Sequence, residues 1–134
     1  MCDGRGDGGE VLSAKKILLV DDAGTMLLLE QMVLHSPGSQ ILMAKDGEAG
    51  VRAALSHRPD LILLGTDLPR MDASEVCRQL RAHETTREIP VVLLIPRGED
   101  ENVEEGFPFG ANGSIIKPID HIELLSKVRN FLGD

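Results

Sequence analysis

The fold of this chain is decided by residues 59–76, which read PDLILLGTDLPRMDASEV. The run Leu61–Leu64 within it is apolar without a break, and a second run of this kind follows at Val91–Ile95. Short apolar runs without polar alternation are typical of strands covered on both faces, as in a parallel sheet between two layers of helices. The stretch therefore predicts a buried strand, then a polar loop, then a helix from Ser74.

Strands and helices alternate along the rest of the chain. Further strands are predicted at Ile17–Val20, Gln40–Ala44 and Ser114–Ile116, and helices at 25–34, 47–56, 74–82, 100–107 and 120–132. This alternation predicts a three-layer, doubly wound α/β domain over residues 15–134. Residues 1–14 are rich in glycine and polar side chains, which predicts a disordered N-terminal tail.

Composition narrows the class of protein. The 134 residues give room for one domain with one core. No apolar run approaches the roughly 18 residues that cross a bilayer, and the polar first ten residues do not resemble a signal peptide, so we expect a cytoplasmic protein. A net charge of −8 with 2% aromatic residues disfavours nucleic-acid binding. Cys2 and Cys77 fit neither a disulfide framework nor a zinc site.

Charged residues follow the predicted strands, where the chemistry of an open parallel sheet is expected. Asp21 and Asp22 follow the first strand, Asp67 follows the third, and Lys117 and Pro118 follow the fifth. Adjacent carboxylates would repel a phosphate but suit a hard cation such as Mg²⁺, so the first loop argues against a nucleotide-binding fold. Capping of the next helix by one of the two aspartates is the alternative.

Taken together, these segments resemble the response-regulator receiver domain, also called CheY-like. The resemblance covers residues 15–134 and rests on KILLVDD at 16–22, on residues 59–76, on IPVVLL at 89–94, on Gly110-Ala111 and on Lys117-Pro118. It implies a flavodoxin-like (βα)5 domain with strand order 2-1-3-4-5 and five helices. It further implies a bacterial two-component or chemosensory pathway, a non-enzymatic role and a cis Lys117–Pro118 bond.

One position departs from the receiver pattern in a decisive way. Receivers end their third strand in the aspartate that accepts a phosphoryl group from a histidine kinase, and this chain has Gly65 there. The carboxylates left for a metal ion are Asp21 and Asp22, with Asp67 nearby, so the resemblance implies weak Mg²⁺ binding at most and no required cofactor. Asp67, two residues further on, stays open as a substitute phospho-acceptor.

The switch positions of the family are altered too. Ile95 stands where receivers have a hydroxyl residue, and Ser114 replaces the aromatic residue of the fifth strand. Lys117 and Pro118 are retained. Without an acceptor carboxylate, we expect Lys117 to pair with Asp21 or Asp22, or else to persist as a structural residue only.

Two surfaces are candidates for partner binding, the expected partners being a histidine kinase, a phosphotransfer domain, a downstream signalling protein or a second copy of the chain. One is the outer side of the first helix and the other an acidic stretch after the fourth strand. Scattered surface apolarity and a solvated helix face are the respective alternatives. The candidate residues are Leu27, Leu28 and Met32 on the first surface and Glu101, Glu104, Glu105 and Phe107 on the second.

The sequence thus predicts a stand-alone, receiver-like signalling protein that acts by phosphorylation-independent protein–protein interaction. A phospho-accepting receiver that uses Asp67 with Mg²⁺ is one alternative. A small flavodoxin-like enzyme or cofactor binder is another, and the acidic first loop argues against it. No nucleophile–base pair is apparent either, because the four histidines are scattered and expected at helix ends or surfaces: His35, His57, His83 and His121.

Overall fold

A single five-stranded sheet forms the middle of the molecule. The structure is a computed structural model that describes residues 15–21, 23–33, 40–68, 71–98 and 110–132. The strands run in the order β2-β1-β3-β4-β5, and all neighbouring strands pair in parallel, which confirms the predicted fold. They are β1 (Lys16–Val20), β2 (Gln40–Ala44), β3 (Leu61–Gly65), β4 (Val91–Ile95) and β5 (Gly113–Ile116).

Four helices are described, and they match predicted ones to within two residues at each end. The fifth predicted helix, at 100–107, and the predicted tail at 1–14 lie outside the described residues. None of the described helices combines the length and the apolar character needed to cross a membrane. The helices are α1 (Ala23–Val33), α2 (Gly47–His57), α3 (Ala73–Ala82) and α4 (His121–Leu132).

The helices cover both faces of the sheet, which explains the unbroken apolar runs. Every residue of β3 and β4 is buried. Successive residues of a strand point to opposite faces, so Leu18 and Val20 of β1 pack with α2 and α3, whereas Ile17 and Leu19 pack with α1 and α4. The two apolar clusters hold the strand ends in fixed positions, and these ends carry the candidate site.

Arg81 near the end of α3 ties together the segments that lead into β4 and β5. Its guanidinium donates to the carbonyl oxygens of Arg87 at 3.0 Å, Ile89 at 2.8 Å and Gly110 at 2.8 Å. It also donates to Asn112 Oδ1 at 3.0 Å, and the same oxygen accepts the first backbone N–H of β4 at 2.9 Å. One side chain therefore satisfies carbonyl groups from two connecting segments.

We expect Arg81→Met to lower the free energy of unfolding by about 1.5–3 kcal/mol, because it leaves several of these carbonyl groups without a charged donor. Arg78→Met is the matched control. Arg78 lies three residues earlier, is 67% exposed and pairs with Glu75 one helical turn away, so its loss should cost less than about 0.5 kcal/mol. Urea unfolding of both variants measures the difference, and equal losses would contradict the role given to Arg81.

Candidate functional site

The candidate site lies at the edge of the sheet where the parallel strands end. Asp21 directly follows β1, Gly65 and Ile95 are the last residues of β3 and β4, and Lys117 directly follows β5. The structure brings Asp21, Gly65 and Lys117 together, as their places at the strand ends predicted.

Asp21 and Lys117 form an ion pair in the interior of the site. The Lys117 Nζ atom lies 2.9 Å from Asp21 Oδ2 and 3.1 Å from Oδ1. The Asp21 side chain is 3% exposed and that of Lys117 is 20% exposed. The sequence left open which aspartate would pair with Lys117, and the structure gives Asp21 as a partner; Asp22 lies outside the described residues.

Thr25 completes the surroundings of the Asp21 carboxylate, and sequence reasoning missed it. Its hydroxyl is buried in the first turns of α1 and donates to Asp21 Oδ2 at 2.9 Å. The available signal was spacing, since Thr25 follows Asp21 by four residues and reaches back over one helical turn. The carboxylate thus receives hydrogen bonds from both a hydroxyl and an ammonium group.

Gly65 lies beside this carboxylate. A Cβ atom built on Gly65 would lie 2.9 Å from Asp21 Oδ1, 3.2 Å from its Cγ and 3.3 Å from the carbonyl oxygen of Val20. Contacts this short require Asp21 to move. The Asp21 side chain therefore occupies space that any side chain at position 65 would need.

The described residues do not fit a divalent metal ion. Asp21 is committed to Lys117 and Thr25, and Gly65 offers no carboxylate. Asp67 is exposed, and because β3 ends at Gly65, strand alternation does not decide where its side chain points. Across the described segments, no three His, Cys, Asp or Glu side chains are grouped closely enough to hold a metal ion.

Two of the four switch positions depart from the receiver pattern, namely Ile95 and Ser114. Ile95 is 1% exposed and has no hydroxyl group, and Ser114 is half-buried in β5. The Lys117–Pro118 bond is cis, as expected. Sequence reasoning overlooked Thr66, whose buried hydroxyl lies next to Gly65 and has no hydrogen-bond partner among the described residues.

The nucleophilic side chains described do not form a catalytic pair. Cys77 is buried in α3, and desolvation raises the pKa of its thiol to about 11, so the thiol is protonated at neutral pH. His57, His83 and His121 are exposed at helix ends, as predicted, and His35 lies outside the described residues.

One predicted partner-binding residue is clearly outward-facing. Leu27 is 63% exposed, whereas Leu29 is fully buried against the sheet. Ile122, at the start of α4, is 74% exposed and was not predicted. The remaining candidates fall outside the described side chains, namely Leu28 and Met32 in α1 and Glu101, Glu104, Glu105 and Phe107 in the acidic stretch.

The family model of the response regulator receiver domain matches residues 17–129. The chain belongs to this family. Among curated relatives, it is 37% identical over 117 residues to the DNA-binding dual master transcriptional regulator RpaA of Synechocystis, a match that covers 87% of this chain and 48% of that protein. It is 35% identical over 118 residues to the alkaline phosphatase synthesis transcriptional regulatory protein PhoP of Bacillus subtilis, with 88% and 48% covered. The receiver chain thus spans about half the length of these two relatives.

Solved receiver structures resemble the fold closely. A putative response regulator from Chloroflexus aurantiacus superimposes with a TM-score of 0.76 at 29% identity, covering 90% of this chain and 98% of that one. The receiver domain of the sensor histidine kinase PA1611 from Pseudomonas aeruginosa gives a TM-score of 0.73 at 29% identity with the same coverage, and it holds a magnesium ion in its active-site cleft. The chemotaxis response regulator CheY4 of Vibrio cholerae gives 0.74 at 26% identity, covering 87% and 98%.

A double-mutant cycle measures the ion pair at the centre of the site. We expect Asp21→Asn and Lys117→Met each to lower the free energy of unfolding by about 3–5 kcal/mol, because each removes one side of a largely buried ion pair. The double variant should lose clearly less than the sum of the two. Lys45→Met, at an exposed lysine, is the control and should change stability by less than about 0.5 kcal/mol. Additive losses in urea unfolding would mean that the two groups do not interact.

Proposed function

We propose that this receiver signals by binding a protein partner without being phosphorylated. The observation that carries the proposal is Gly65, at the end of β3, with the Asp21 carboxylate packed against it. Glycine has no side-chain oxygen with which to form an acyl phosphate. The space where an acceptor side chain would stand is taken by Asp21.

The rest of the site supports the same proposal. Phosphoryl transfer depends on positive charge placed at the transferring group. Here Lys117 neutralises Asp21, and Ile95 presents no hydroxyl to a phosphoryl group. Gly65 and Ile95 therefore offer neither an acceptor carboxylate at the end of β3 nor a hydroxyl at the end of β4.

A receiver that is not phosphorylated can act only through its contacts with other proteins. Leu27 on α1 supplies an exposed apolar anchor. We propose a histidine kinase, a phosphotransfer domain or a downstream signalling protein as the partner, in the cytoplasm, with self-association as the alternative. The names of RpaA and PhoP describe transcriptional regulators, but the net charge of −8 disfavours direct contact of this domain with DNA.

Treatment of the purified protein with acetyl phosphate and Mg²⁺ tests the proposal. We expect no gain of a phosphoryl group in the intact mass, because position 65 has no carboxylate that can accept one. A receiver with an intact acceptor aspartate, treated in parallel, shows that the reagent is active.

Asp67 provides the alternative outcome. Its side chain is exposed and therefore accessible to a phosphodonor. Stoichiometric gain of one phosphoryl group would refute the proposed function, and loss of that label in Asp67→Asn would establish Asp67 as the acceptor. Label that persists in Asp67→Asn would exclude both assignments.

Leu27→Glu tests the contact surface. The wild-type domain is used to capture proteins from a lysate of its source organism, and we expect Leu27→Glu to capture fewer of them. Its melting temperature should stay unchanged, because Leu27 lies on the surface and not in the core. Ile122→Glu is the matched control at another exposed apolar residue, on α4. Retention of the same proteins by Leu27→Glu would show that α1 is not the binding surface.

A further inference from the structure

The Lys117–Asp21 pair links two strands that are not neighbours. Asp21 follows β1 and Lys117 follows β5, and β3 and β4 lie between them in the sheet. Three strand spacings amount to about 14 Å in a flat sheet. The pair therefore crosses the ends of β3 and β4, where Gly65 and Ile95 are the last residues.

The Asp21 carboxylate already has close partners on both of its oxygens. The ammonium group lies 2.9 and 3.1 Å from its two oxygens, and the Thr25 hydroxyl lies 2.9 Å from Oδ2. Mg²⁺ requires oxygen ligands at about 2.0–2.1 Å in near-octahedral geometry. A divalent ion bound to Asp21 would stand within a few ångströms of the ammonium group and would be repelled by it.

Gly65 also leaves room for the Asp21 carboxylate, besides offering no phospho-acceptor. The Asp21 carboxylate lies against this glycine so closely that a Cβ atom would be 2.9 Å from Oδ1. A side chain here would push the carboxylate away from its present position. Glycine at position 65 therefore permits the geometry in which Lys117 meets Asp21.

We propose that the Lys117 ammonium is a tethered cation that takes the place of the divalent metal ion in this receiver and excludes it from Asp21. The inference deepens the proposed function, on which it rests, by replacing a diffusible cofactor with a fixed charge. The domain would then keep one arrangement of the β1 and β5 ends at any Mg²⁺ concentration.

Metal binding by the full chain tests this inference. Free Mn²⁺ is measured by electron paramagnetic resonance with wild type, Lys117→Met and the control Lys45→Met. We expect wild type and Lys45→Met to bind Mn²⁺ weakly and with equal affinity. Lys117→Met should bind at least about tenfold more tightly, because removal of the ammonium exposes the Asp21 carboxylate and ends the repulsion. Equal binding by wild type and Lys117→Met would overturn the inference.

A second measurement needs no variant and remains decisive if Lys117→Met does not fold. The melting temperature of wild type is followed as Mg²⁺ is raised to about 20 mM against NaCl of equal ionic strength. We expect the two curves to coincide, and a saturable rise with Mg²⁺ alone would refute the tethered cation. A rise in melting temperature with Mg²⁺ but no phosphoryl group gained from acetyl phosphate would refute the tethered cation and leave the proposed function standing. Failure of the inference can therefore be told apart from failure of the proposed function.

Discussion

The ion pair between Lys117 and Asp21 is the constraint on which the carboxyl edge of this domain depends. Taking both charges out of water is costly, and only close mutual contact and further hydrogen bonds offset that cost. The structure meets these conditions through the double contact with the ammonium and the Thr25 hydroxyl. Because the pair joins residues 96 positions apart, it forms only when β1 and β5 have both taken their places beside β3 and β4.

The architecture could be predicted from the sequence because burial on two faces leaves a clear pattern. The runs Leu61–Leu64 and Val91–Ile95 have no polar interruption, and both proved to be fully buried strands. The outward position of Leu27 was predictable for a similar reason, since one helix cannot turn all of its apolar residues toward one sheet. Local pattern and tertiary burial agree at these positions.

Details of the site depended on geometry that no local pattern contains. Two adjacent aspartates offered equivalent carboxylates to Lys117, and the contact with Asp21 depends on where β1 ends relative to β5. The Thr25 hydroxyl acts through a helical turn whose start was predicted two residues too late. The exposure of Ile122 was not predicted, because one exposed isoleucine at the start of a helix has no distinguishing sequence signal.

The close approach of Asp21 to Gly65 has a consequence for any attempt to restore an acceptor by substitution. An aspartate introduced at position 65 would displace the Asp21 carboxylate, since its Cβ atom would stand 2.9 Å from Asp21 Oδ1. It would also compete for a lysine that already has a partner, beside an isoleucine that cannot sense a phosphoryl group. Gly65→Asp alone would therefore supply a carboxylate at the end of β3 without a hydroxyl at position 95, and it would require Asp21 to shift.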